Sequence, residues 1–121
     1  MNQSMAGRSI LVVEDEMMVL MTIEGMLEDL GCEDVTVAAT IEQALALIAA
    51  QSFDVAMLDV NLNGTKSYPV ADALAAHAVP FVFSTGYCDV GATSAHKHRP
   101  VLNKPFQHEK LGATLTALLA H

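Results

Sequence analysis

The sequence predicts an α/β fold: five β-α units, (βα)5, doubly wound around one parallel five-stranded sheet. Three observations carry that prediction. Short apolar runs alternate with segments of helical period along the whole chain. The first run, Ile10-Leu-Val-Val13, is apolar without a break, the pattern of a parallel strand buried on both faces. Polar residues then cluster where each strand should end, which is where open parallel sheets bind ligands.

The elements follow in order. Ile10–Val13, Val35–Ala38, Val55–Leu58, Phe81–Phe83 and Val101–Leu102 read as strands. A first helix runs from about Met17 to Leu30 and stops at Gly31, a C-terminal glycine signal. Thr40 and Gln43 form a capping box for a second helix, with Ile41, Leu45 and Ile48 as its inner face. A third covers about Val70 to His77. A short, weak fourth is expected near Asp89 to Ala95, where Gly91 and few apolar residues offer little to pack. The last begins near Gln107, with Leu111, Leu115, Leu118 and Leu119 on one stripe.

Composition sets the outer bounds. The 121 residues make one domain, ordered over about residues 8–120, and 52% hydrophobic content suffices for a core. Five units use up the chain, so no output domain is expected. The stretch before Ser9 is polar and small, unlike a signal peptide, and no run is long enough for a membrane span. The expected compartment is the cytoplasm. A net charge of -8 with only six Lys and Arg argues against nucleic acid as a direct partner. Cys32 and Cys88 form no CxxC pair and read as buried small hydrophobes. His96 and His98 lack a third ligand nearby and read as solvated.

The strand ends hold the chemistry. Glu14, Asp15 and Glu16 follow the first strand, and Asp59 ends the third. Ser84 and Thr85 end the fourth, and Lys104 follows the fifth. Neighbouring carboxylates repel, and a divalent cation relieves the repulsion. Hard oxygen ligands favour Mg2+, which keeps some waters and accepts phosphate beside one or two carboxylates. A carboxylate can also be a nucleophile that forms an aspartyl phosphate. The phosphoryl oxygens then need a metal, an ammonium and a hydroxyl as partners. Each residue alone has a plainer reading. Asp15 and Glu16 suit the dipole of the first helix, Asp59 could cap a turn, Thr85 could serve a turn with Gly86, and Lys104 could be a surface lysine. The set of four strand ends is what favours the site.

Four segments together resemble the hallmark segments of bacterial response-regulator receiver domains, which have a flavodoxin-like fold. They are Ile10-Leu-Val-Val-Glu-Asp-Glu16, Phe53-Asp-Val-Ala-Met-Leu-Asp59, Phe83-Ser-Thr-Gly-Tyr87 and Leu102-Asn-Lys-Pro-Phe106. Pro80-Phe-Val-Phe-Ser-Thr-Gly-Tyr87 also resembles the FATGUY subgroup of single-domain receivers, with Ser84 in place of its usual alanine. The resemblance implies that Asp59 is the phosphoacceptor. It implies that Asp15 ligates Mg2+ directly, Glu14 mostly through water, and Asn61 through its backbone carbonyl. Thr85 would bind the phosphoryl group and Lys104 would pair with it. The Lys104–Pro105 bond would be cis, a geometry that only an X-Pro bond reaches cheaply. The implied partner is a histidine kinase, HWE-type or related, or a phosphotransfer protein. The downstream partner would be another protein.

Two departures from the family pattern stand out. Val101 occupies the place of a common aromatic three residues before the lysine, so the usual hydroxyl–ring coupling lacks its ring. Tyr87 is then the nearest aromatic, either transmitting the switch or only shielding the pocket. The loop after Asp59 lacks the common proline and reads Asn63-Gly64-Thr65-Lys66-Ser67, so it is expected to be looser or differently aimed.

The expected function is thus a signalling switch limited to self-phosphorylation and slow self-dephosphorylation. It would change protein contacts or act as a phosphate shuttle or sink. One alternative is a haloacid-dehalogenase-type phosphatase. That family needs a second acid two residues after its nucleophile, where this chain has Asn61. The other is a binding module that never meets phosphate.

Overall fold

Five strands lie parallel in one sheet in the order β2-β1-β3-β6-β7: β1 (Ser9–Val13), β2 (Asp34–Ala38), β3 (Val55–Asp59), β6 (Phe81–Thr85) and β7 (Val101–Asn103). Between β3 and β6 the chain also makes a small antiparallel pair, β4 (Asn61–Leu62) with β5 (Thr65–Lys66). The helices are α1 (Met17–Asp29), α2 (Ile41–Ala50), α3 (Tyr68–Ala76) and α4 (His108–Leu119). This computed structural model describes residues 6–62, 64–85, 99–103 and 107–120. The helix expected near Asp89 to Ala95, together with Tyr87, Cys88, His96, His98, Lys104 and Pro105, lies outside the described residues.

The sheet divides the core in two, because alternate strand residues point to opposite faces. On one side Leu11, Val13, Leu58, Phe81 and Phe83 pack against Ala44 and Ile48 of α2 and Val70, Ala71 and Leu74 of α3. On the other, Ile10, Val12, Met57, Val82 and Leu102 meet Ile23 and Leu27 of α1 and Leu111 and Leu115 of α4. Cys32 belongs to that second cluster, and burial pushes its thiol above the usual value. It is the buried small hydrophobe expected. No helix among the described residues is long and apolar enough to cross a membrane.

Helix ends follow their sequence signals. Thr40 Oγ1 accepts from the Gln43 amide at 3.1 Å, and Gln43 Oε1 accepts from the Ala39 amide at 2.8 Å. After α1, Gly31 takes φ +85°, its amide donates to Glu28 O, and the Cys32 amide reaches Leu27 O. That is a Schellman closure, for which glycine is suited. The same closure ends α3, but there Ala78 holds the left-handed position at φ +58°. Its amide donates to Ala75 O and the Val79 amide to Leu74 O. A left-handed alanine costs about 1–2 kcal/mol. Ala78→Gly is therefore expected to stabilise the fold by about 0.5–1 kcal/mol, after the added unfolded-state entropy of glycine. Urea unfolding checks it through a higher midpoint at unchanged slope.

Two expectations need correction. Leu45 is 36% exposed, whereas Ala44 and Ile48 are buried and Ile41 and Leu47 lean on the core. Small Ala44 lets the helix approach the sheet more closely than Leu45 would, which decides the rotation of α2. Helix α3 starts at Tyr68 rather than Val70, with Pro69 tolerated in its first turn. The stretch after Asp59 carries the β4–β5 pair, with Gly64 at φ +85° between the two strands.

Candidate functional site

Sheet register brings the site together. Val13 pairs with Leu58 and Asp59 with Ser84, so Glu14 emerges at the level of Asp59. The Glu14 amide donates to Ala38 O at 3.0 Å, which extends the β1–β2 ladder one residue past the strand. Glu14 is 1% exposed, and its Oε2 accepts from the Glu16 amide at 3.2 Å. That bond turns the chain into α1, whose N-cap Glu16 makes no side-chain cap of its own. Asp15 sits half-buried inside the turn.

Asp59 closes β3 and is 5% exposed. Its Oδ1 accepts from the Asn61 amide at 3.1 Å, a local turn bond typical of Asp. Carboxylate oxygens of Glu14, Asp15 and Asp59 all lie within 4.8 Å of one another. This donor set is all oxygen, anionic and close enough to share one hard cation. Such a cation would offset the repulsion among three charges, two of them on buried residues. The acidic cluster thus fits Mg2+ on the chemistry of its donors.

The remaining predicted residues divide in two. Ser84 and Thr85 are buried at the end of β6, beside the end of β3. Thr85 pairs with Asn103, the last described residue of β7. Lys104, Pro105 and Tyr87 lie outside the described residues. Asn61 opens β4, with its amide on the Asp59 carboxylate. Val101 pairs with Phe83 and leans on the core as a strand residue.

Sequence reading missed Ser67. It is fully buried, and its Oγ donates to the main-chain oxygen of Asp59 at 2.6 Å. The Asn63-Gly64 pair between Leu62 and Thr65 was the available signal, since Asn-Gly marks tight hairpins. A hairpin there returns the chain to Asp59. One side of α1, whose sequence carries more apolar residues than the core stripe of Leu20, Ile23, Leu27 and Leu30 needs, is open. Met17, Met18 and Met21, in the first turns of α1, are 71%, 79% and 62% exposed.

Comparison with known proteins agrees with this geometry. A family model described as "Response regulator receiver domain" matches residues 10–116. The solution structure of SdrG from Sphingomonas melonis Fr1 is 44% identical, with a TM-score of 0.82 over 96% of this chain and 98% of that one. The BeF3-activated conformation of SdrG, from Pseudomonas melonis Fr1, is also 44% identical, with a TM-score of 0.79 over 98% of both chains. The transcriptional regulatory protein YvrH of Bacillus subtilis (strain 168) is 28% identical over 119 residues, 95% of this chain. The chain spans 50% of that protein's length.

Proposed function

Because the chain belongs to the response regulator receiver domain family, we propose that it is a switch driven by phosphorylation of Asp59. One observation carries this reading. Three acids from two strand ends converge within 4.8 Å, beside the buried hydroxyl residues that end β6. The similarity to a chain solved in a BeF3-activated conformation supports it, since that group mimics a phosphoryl group.

In the proposed reaction an Asp59 carboxylate oxygen attacks the phosphorus of a phosphohistidine. A P–O bond forms and the P–N bond breaks, its electron pair passing to the imidazole nitrogen, which takes up a proton. Glu14, Asp15 and Asp59 would hold Mg2+, with the Asn61 carbonyl as a further ligand. The bound ion would supply positive charge to the phosphoryl oxygens. Thr85 offers a hydroxyl to one of those oxygens and Lys104 offers an ammonium. The Asn61 amide orients the attacking carboxylate through its bond to Oδ1. Water later hydrolyses the acyl phosphate slowly, so the chain resets without acting on metabolites. Asn61 in place of a second acid supports this over a dehalogenase-type phosphatase, which would turn over free phosphate esters.

The donor is a histidine kinase, HWE-type or related, or a phosphotransfer protein, in the cytoplasm. The signal leaves by altered protein contacts, or the phosphoryl group moves on in a relay. Met17, Met18 and Met21 form an adaptable apolar surface beside the site, suited to a kinase helix pair. The test is a time course of phosphoryl transfer from a panel of phosphorylated kinases of the same organism, alongside a small phosphoramidate donor. Transfer from one kinase within minutes supports the reading. No acyl phosphate from any donor would overturn it. Met18→Glu in the same assay is expected to slow kinase transfer roughly tenfold or more and to leave the phosphoramidate reaction intact. Equal loss with both donors would instead indicate damage to the site.

A further inference from the structure

We infer that Ser67 is a positioning residue for phosphoryl transfer, fastening the Asp59 main chain through its hydroxyl. The inference rests on Asp59 being the acceptor, as proposed above.

Ser67 occupies the N-cap of α3 but makes no side-chain cap there. Serine at an N-cap ordinarily accepts from a backbone amide two or three residues on. Here the hydroxyl turns the other way and donates to the Asp59 carbonyl at 2.6 Å. The neighbouring amide, Ser67 N, donates to Val60 O at 2.9 Å. Asn61 pairs with Lys66 and Leu62 with Thr65, so these bonds continue the hairpin down to its base. The excursion from Asp59 through the hairpin therefore closes on Asp59 itself. The hairpin's base is buried, with Ser67 0% exposed and Asp59 5%, while Asn61, Thr65 and Lys66 are exposed.

Among the described residues, Asp59 is held at its carboxylate and at its carbonyl, and the amide end of the same 59–60 peptide is held too, Val60 N donating to Ser84 O at 3.0 Å. The Asn61 amide grips its carboxylate and the Ser67 hydroxyl grips its carbonyl. The two bonds are linked, because the 59–60 peptide sets the direction of the following residues. If the carbonyl loses its donor, the peptide keeps its Val60 N to Ser84 O bond but can tilt about that anchor and shift the Asn61 amide with it. The carboxylate oxygen then leaves its line of attack. Small misplacements of a reacting group are costly, because near-attack geometry supplies much of such a rate. A buried carbonyl without its donor is also unfavourable.

The same bond ties the acceptor to α3. Tyr68, the first residue of that helix, packs edge-on to Phe83 at 6.4 Å between ring centroids. Phe83 lies two residues before Thr85 on β6. Ser67 therefore joins the acceptor strand to the strand that carries the hydroxyl, through α3.

The experiment compares the parent with Ser67→Ala, Ser67→Cys, Ser67→Thr and Asp59→Asn, using a small phosphoramidate donor at saturating Mg2+. Circular dichroism first shows which variants are folded. Ser67→Ala is expected to lower the limiting phosphorylation rate about tenfold, with the donor concentration at half-maximal rate unchanged. Ser67→Thr keeps the hydroxyl and should recover most of the rate, while Ser67→Cys, a weak donor, should fall between. A purely structural role would lower the unfolding temperature and leave the rate of the folded protein alone. A parental rate in folded Ser67→Ala overturns the inference. If Ser67→Ala does not fold, equal rates in Ser67→Cys and Ser67→Thr overturn it, and a faster Ser67→Thr supports it. Asp59→Asn separates the two levels. If it is labelled like the parent, or the parent takes no label, the acceptor reading falls and this inference with it. If only Asp59→Asn is silent, a negative result at Ser67 counts against Ser67 alone.

Discussion

Asp59→Asn is expected to abolish stable labelling by a phosphorylated kinase and by a small phosphoramidate donor alike, lowering the rate roughly a thousandfold or more. The change removes the anionic oxygen that attacks phosphorus and keeps the size of the side chain. Asn can still accept the Asn61 amide through its carbonyl oxygen, so the local turn should persist. The Ser67 bond is made to the main chain and is indifferent to the substitution. The variant should therefore fold, and its silence should be chemical. An acid-stable, base-labile label appearing at the parental rate on Asp59→Asn would place the acceptor elsewhere.

The second large effect concerns the cation. Asp15→Asn is expected to weaken Mg2+ binding by about a hundredfold, because affinity follows the charge of the ligand set. The same change should make the metal-free protein more stable. Unit charges about 5 Å apart repel by ~1 kcal/mol in a water-like surrounding and by more in the interior. Asp15 is half-buried and its contacting acids are buried, so removing one charge relieves part of that repulsion. Metal-free unfolding temperature should rise, and the further rise on adding Mg2+ should shrink. Opposite signs in the two conditions cannot come from a folding defect. Isothermal titration with Mg2+ and paired melts with and without Mg2+ check both. Unchanged affinity would remove Asp15 from the ligand set.

Much of the fold was legible because its signals are local. Ile10 to Val13 and Val55 to Leu58 read as buried parallel strands because an unbroken apolar run has no polar face to offer solvent. Gly31 marked the end of α1 because few other residues take its φ of +85° at no cost. Glu14, Asp15, Asp59 and Thr85 were legible as a set because each stands at a strand end, and parallel register aligns strand ends. The rotation of α2 was not legible. Ile41, Leu45 and Ile48 fit helical spacing as well as Ile41, Ala44 and Ile48 do, and only contact with the sheet chose Ala44. The extra methionines of α1 were visible in the sequence. Their exposure depends on where α1 lies against the sheet and α4.

The sequence by itself determined the α/β class, the order of the five sheet strands and the four described helices, and the strand-end acids that converge. Those properties follow from periods of two and 3.6 residues and from turn chemistry, each read within a few residues. Only the tertiary structure decided that the chain after Asp59 folds back as a hairpin onto that residue. It also decided that Ser67 spends its hydroxyl on the Asp59 carbonyl rather than on its own helix. A serine at a helix start can satisfy either partner. Which one it takes depends on a carbonyl eight residues away, placed by the end of β3 and the register of β4 with β5.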